Sequence, residues 1–243
     1  MNKTFKKAFT LSEVVVAVAI LGTLAALTIP TFFSGSTSQK NQYVTGLRKV
    51  YSELTYATDQ IKTNNAGTLV GAFTSTTDAL NKYGNTLKVR RICAAGAVIN
   101  TAPTPDEGLC WNASTLKLSG GAAVESFDAN TNYQGVLLAD GSFLLFNITN
   151  TACDGAGVSL NLPYASDPNH LCGSIVTDVN GFKGPNQFGR DIFMLLLGPN
   201  GLSLGGDINN IYNSQAVECS AAQAAKNGYG CAAKVIGDGK MLY

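Results

Sequence analysis

From Val14 to Gln39 the chain carries no Asp, Glu, Lys, Arg or His, and Lys3, Lys6 and Lys7 stand just ahead of that run. Its most apolar part, Val14 to Phe33, is 20 residues long. As an α-helix rising about 1.5 Å per residue it reaches roughly 30 Å, the thickness of a bilayer's hydrocarbon core. Such a segment belongs in a membrane or in a bundle of like helices, so the rest of the chain must build its own core outside. The basic flank holds the N-terminus in the cytoplasm and sends the remainder across. A secretory signal peptide fits less well, because the apolar stretch is long for one and no convincing A-x-A site follows it. A plain signal-anchor is the stronger alternative.

Glu13 argues against a plain anchor. It sits at the edge of the run, four residues after Phe9, in Ala8-Phe9-Thr10-Leu11-Ser12-Glu13. An acidic group drawn into hydrocarbon costs about 2.5–3.5 kcal/mol even on lenient insertion scales, and a simple anchor gains nothing from it. An ionisable residue there needs a partner, and a positive amine from another chain is the cheapest one.

Lys6-Lys7-Ala8-Phe9-Thr10-Leu11-Ser12-Glu13-Val14, continuing through Ile20-Leu21-Gly22 and Leu24-Ala25-Ala26 to Ile29-Pro30, resembles the N-terminus of type IV prepilins and type II secretion pseudopilins. The resemblance implies cleavage by a dedicated prepilin peptidase between Ala8 and Phe9, methylation of the new Phe9 amine, and an assembly role for Glu13. It also places Gly22 and Pro30 at helix-weakening positions; Pro30 lacks an N–H and clashes with the preceding turn. Two residues depart from the usual pattern. Ala8 stands where the family has Gly, and Ser12 where an aliphatic residue is typical. The motif covers about a tenth of the chain. What it implies is a homo-oligomeric helical filament, built by an assembly machinery from subunits held first in the inner membrane. The finished filament is then an extracellular pilus or a periplasmic pseudopilus.

The domain reading follows: residues 1–8 as leader, 9–63 as the N-terminal helix with 14–33 in membrane or filament core, and 64–243 as a globular head. Within the helix, Val44, Leu47, Tyr51, Leu54, Ala57 and Ile61 recur at spacings of three and four, a stripe for docking on a core. Gly35-Ser36 is a candidate bend, and Asn64-Asn65-Ala66-Gly67 stops the helix. A shorter helix is expected near Thr77 to Lys88. Three pairs of apolar runs then flank turn signals: 136–139 and 142–146 around Asp140-Gly141, 192–197 and 202–204 around Gly198-Pro199-Asn200-Gly201, and 234–236 and 240–243 around Gly237-Asp238-Gly239. These predict an α+β fold, a long helix packed on an antiparallel sheet with disulfide-closed loops.

Six cysteines, Cys93, Cys110, Cys153, Cys172, Cys219 and Cys231, all lie beyond the helix with no C-x-x-C pair. That is a disulfide framework for an oxidising compartment rather than a metal site. Of the possible pairings the three local ones, Cys93–Cys110, Cys153–Cys172 and Cys219–Cys231, are expected, each closing a short loop. The resemblance adds that related pilins often close a disulfide loop near the C-terminus. A net charge of +1 with 14% charged residues gives no field to attract nucleic acid or an anionic surface.

Other chemistry is sparse. Lys88-Val89-Arg90-Arg91 reads as a solvated patch, and His170, the only histidine, as a surface residue. Asn112-Ala113-Ser114 and Asn147-Ile148-Thr149 fit the glycosylation triplet, a pattern that chance supplies readily. No phosphate-binding glycine loop, HExxH or G-x-S-x-G is present, so we expect no enzyme, no cofactor, no metal and no nucleic-acid partner. The most distinctive stretch of the head, Asp178 to Asp191, opens like a calcium loop. Lys183 and Arg190 lie inside it and no Glu closes it, which favours an Asx turn at 178–181. On that reading Arg190 or Lys183 pairs with Asp178 or Asp191, and Phe182 and Phe188 pack beneath. The alternatives to a pilus subunit are a pseudopilin and a membrane-anchored adhesive or binding ectodomain exported by its pilin-like start.

Overall fold

The computed structural model describes residues 36–93, 110–111, 133–154, 170–206, 219 and 228–243. The chain divides into two units, Met1–Lys40 and Asn41–Tyr243. The leader, the apolar segment Val14 to Phe33, Gly35 and the residues from Ala8 to Pro30 lie outside the described residues, and among the described residues no helix is long and apolar enough to cross a membrane.

Helix α1 spans Ser36–Thr63. Its buried face is Tyr43, Val44, Leu47, Val50, Leu54, Ala57 and Ile61, which follows the expected stripe except that Val50 is buried and Tyr51 only partly so. Arg48, Lys49 and Asp59 stay exposed. The helix ends where the sequence said, with Gly67 in the left-handed region (φ 82°) donating to Lys62 O at 2.8 Å. Helix α2 spans Thr76–Gly84, shorter at its C-terminal end than expected. Ser75 caps it by accepting from Asp78 N, while Asp78 Oδ2 accepts from Thr74 N at 2.9 Å. The two helices are tied by the buried hydroxyl pair Thr58 and Tyr83, 2.7 Å apart.

Among the described residues the sheet is a six-stranded antiparallel meander, each strand paired with the next in sequence: β1 Val89–Cys93, β2 Gln134–Leu138, β3 Phe143–Ile148, β4 Gly173–Asp178, β5 Ile192–Gly198 and β6 Gly201–Leu204. Side chains alternate across a strand, and here both faces are covered. Val136, Leu144, Phe146, Ile175, Phe193 and Leu195 share one apolar cluster with the buried faces of α1 and α2. Leu137, Phe143, Leu145, Val176, Met194 and Leu196 belong to a second cluster with Trp111, Tyr133, Phe188 and Tyr229. Double coverage explains why β3 and β5 read as continuous apolar runs instead of alternating ones.

Two of the three expected hairpins are present, β2–β3 and β5–β6. The β5–β6 tip is anchored from outside: Leu69 N donates to Pro199 O at 2.8 Å and Lys62 Nζ to Asn200 O at 2.6 Å. The third is corrected. Cys231–Asp238 is a helix, α3, and residues 239–243 form no strand. Its buried residues Cys231, Ala232 and Val235 are spaced for one helical face, and Lys234 pairs with Asp238 at i,i+4. Gly239, at φ 68°, donates to Val235 O, so the glycine that looked like a hairpin turn is a helix C-cap.

Three disulfides join Cys93–Cys110, Cys153–Cys172 and Cys219–Cys231, the local set expected, and every cysteine is buried. The first extends from the end of β1, the second ties the segment after β3 to the residue before β4, and the third fixes the start of α3.

Candidate functional site

Ala8, Phe9, Glu13, Gly22 and Pro30 lie outside the described residues, so their chemistry rests on sequence. Several head features settle as ordinary structure. The Lys88–Arg91 cluster is largely β1, an edge strand paired only with β2 among the described strands. Arg90 is exposed there and Arg91 half-buried. Charges on an edge discourage pairing with a foreign strand. His170 is exposed at φ 65° in a turn. Asn147 is 1% exposed within β3, so its triplet presents no acceptor for a glycan, while Asn112 is outside the described residues. A shallow cleft at the end of α1 is lined by Gln60, Asn64, Asn85 and Thr86, with Lys82 turned to Asp78 and the Ala72 carbonyl.

The loop from β4 to β5 is the most constrained part of the head. Asp178, the last residue of β4, accepts on Oδ1 from Asn180 N at 3.0 Å and Gly181 N at 2.9 Å, the expected Asx turn. Gly181 has φ 66°, and a Cβ there would stand 2.1 Å from Gly141 O in the β2–β3 turn. Asn180 Nδ2 donates to Gly184 O at 3.1 Å, and the Tyr43 hydroxyl of α1 reaches the same carbonyl at 3.4 Å. The Gly184–Pro185 peptide is cis. Asp191 closes the loop by accepting from Asn186 N at 2.8 Å and Gln187 N at 2.7 Å. The Tyr243 hydroxyl of the C-terminal segment donates to Gly189 O at 2.6 Å.

The expected ion pairing is not there. Arg190 reaches Gln187 Oε1 at 3.5 Å and Lys183 is exposed; among the described residues neither forms a salt bridge with Asp178 or Asp191. Backbone N–H groups do that work because they are fixed by the turn, whereas a long side chain must be ordered and desolvated. Of the two phenylalanines, Phe188 is buried against Tyr229, and Phe182 is 37% exposed, edge-on to Phe143 at 4.7 Å between ring centres. Burial, then the neighbouring Asp191, pushes the Asp178 carboxyl well above the usual range. Asp191 is also raised by burial, against the pull of backbone N–H groups, Gln187 and Asn186 foremost, and of the Asn180 side chain. Among the described residues no group of three or more His, Cys, Asp or Glu could hold a metal.

Sequence reasoning found the Asx turn but missed the isolation of its acid pair. Only the fold brings Tyr43, Gly141 and Tyr243 around this loop, and nothing in their own sequence neighbourhoods points to it.

Comparison with known proteins adds one finding. Residues 3–29 match the family model of the prokaryotic N-terminal methylation motif, the prepilin-type motif of type IV pilins and pseudopilins. Ala8, Phe9, Glu13 and Gly22 fall inside the matched range, and Pro30 follows it directly. No curated protein and no solved structure matches the chain.

Proposed function

We propose that this chain is a structural subunit of a type IV pilus-like filament, made as a precursor, cut by prepilin peptidase and assembled through its N-terminal helix. The observation that carries the reading is the methylation motif at residues 3–29 with Glu13 at its place in it. Cleavage between Ala8 and Phe9 frees an amine at Phe9. Inside a low-dielectric bundle, Glu13 of a neighbouring subunit neutralises that amine. Such a pair adds little net stability, but leaving either charge alone is expensive, so it selects one axial register. Packing among the Val, Leu, Ile and Ala side chains of many helices supplies adhesion. Gly22 and Pro30 weaken the helix between, letting it bend as subunits pack.

The head suits an exported subunit: three disulfides, few ions and a sheet covered on both faces. By family resemblance a cysteine-rich head is more usual in surface pilins than in pseudopilins, which favours a pilus. Before assembly the subunit sits in the inner membrane with its N-terminus cytoplasmic. Mass spectrometry of the mature protein tests the processing step, and the expected start is a methylated Phe9. Shearing tests the assembly step, with the protein leaving cells in high-molecular-weight fibres. A mature terminus beyond Phe33 refutes the reading outright. Correct processing with no sheared or periplasmic fibres points instead to an anchored ectodomain.

A further inference from the structure

Asp178 and Asp191 are both 0% exposed, and no lysine or arginine pairs with either among the described residues. Asp191 spends both oxygens on backbone donors, Asn186 N and Gln187 N. Asp178 spends one: Oδ1 takes Asn180 N and Gly181 N, while the buried Oδ2 meets no donor. The elements around the pair supply no compensating charge. From α1 come Tyr43, a phenol whose own proton burial holds on, and Gly46 against Val179. From the β2–β3 turn comes Asp140, already paired with Lys49 at 2.6 Å. The C-terminal segment brings the Tyr243 hydroxyl, and the loop itself brings Arg190, turned to Gln187, and the exposed Lys183.

We propose that Asp178 and Asp191 together hold one proton at neutral pH, on Oδ2 of Asp178, and that this proton keeps the β4–β5 loop latched to helix α1. A carboxylate oxygen without a donor needs water or a counter-charge, and a carboxylic acid needs neither as urgently. Asp191 stays ionised because two fixed N–H groups face it, and its charge then disfavours a second one nearby. The latch runs from Asp178 through Asn180 to the Gly184 carbonyl, where the Tyr43 hydroxyl meets it. Losing the proton sends Oδ2 toward water and loosens that chain.

The sign follows from the direction of the shift. Asp178 binds its proton more tightly folded than unfolded, so its stabilisation is complete below its unfolded value near pH 4. It is lost as pH rises through the folded value, at about tenfold in the unfolding constant per pH unit of that window. Asp78 and Asp140 are shifted downward, by the Thr74 backbone N–H and, for Asp140 against its own burial, by Lys49. Their losses therefore come on acidification, outside that window.

The test uses the detergent-solubilised full chain, with Trp111 as the reporter. It is the only tryptophan, 1% exposed, and 5.9 Å from the Phe143 ring that Phe182 also touches. Asp178→Asn keeps the Oδ1 acceptor and carries no charge at any pH. The expected result is that, relative to Asp178→Asn, the wild type loses stability steadily from pH 5 to pH 8. Hydrogen exchange compared at equal pH should show residues 41–48 and 178–191 opening more in the wild type at pH 8. Asp191→Asn gives a second readout if Asp178→Asn folds poorly: removing its charge lets Asp178 give up its proton more easily, so the loss should be smaller and end at lower pH than in the wild type. A wild type more stable than Asp178→Asn at pH 8, with the gap closing in acid, overturns the proposal. So does a rise in melting temperature with millimolar calcium that is reversed by chelation and absent in Asp178→Asn, because a cation then takes the oxygen instead.

Discussion

Replacing Gly181 by alanine tests how tightly the β4–β5 loop is wedged against the β2–β3 turn. The backbone there has φ 66°, and the added Cβ would lie 2.1 Å from Gly141 O and 3.7 Å from a Phe143 ring carbon. The left-handed conformation alone costs a non-glycine residue about 1–2 kcal/mol. Relieving the contact requires a backbone carbonyl to withdraw by roughly 1 Å, an overpacking strain of about 1–3 kcal/mol in a packed site. Gly67→Ala is the matched control: its φ is 82° and nothing lies within 4 Å of its Cβ. It carries the conformational cost without the clash. For a head of this size each kcal/mol moves the melting temperature by about 2–4 °C, so Gly181→Ala should lose about 4–20 °C and Gly67→Ala about 2–8 °C, with the larger loss in Gly181→Ala. Thermal unfolding of the detergent-solubilised chain, followed by Trp111 emission, reads both. Equal losses in the two variants would refute the reasoning, since they would mean the loop and the turn part without cost.

Two further expectations concern the N-terminal motif and a disulfide of the head. Glu13→Ala should insert in the membrane as well as the wild type, because it removes a polar group from hydrocarbon, yet filaments recovered by shearing should fall sharply; normal yield would end the proposed assembly role. Replacing Cys153 and Cys172 together by alanine opens the disulfide with a sequence separation of 19, for which chain-entropy models give about 3 kcal/mol. Urea unfolding should register that loss, and an unchanged midpoint would show that the α1–α2 loop packed on Cys153 holds the segment unaided.

Elements whose signals are local were legible in the sequence, and those decided by distant partners were not. The stripe of α1 and the hairpin signals Asp140-Gly141 and Pro199-Asn200 are written within a few residues of where they act, and the structure follows them. Strands β1 and β4 escaped notice for opposite reasons. Val89–Cys93 carries two arginines because it is an edge, and Gly173–Asp178 mixes Ser and Thr with Ile and Val because its neighbours on both sides, β3 and β5, supply the pairing. At the C-terminus the same residues fit two elements. Val235 and Ile236 have strand-like side chains, but Ala232 and Val235 fall on one helical face, and the disulfide at Cys231 starts a turn that Gly239 can close. The β4–β5 loop shows the limit most clearly. Its Asx turn follows from Asp178 and Gly181 alone, so it was readable. Whether its acids face cations could not be read, because Lys183 and Arg190 share the loop with them in sequence, yet in the fold Lys183 is exposed and Arg190 reaches Gln187. Asp178 is buried at the end of a central strand, opposite Phe143 of β3 and Ile192 of β5, partners whose sequence neighbourhoods say nothing about a carboxyl group. A charge pattern along the chain reports which ions are available; only packing decides which of them meet.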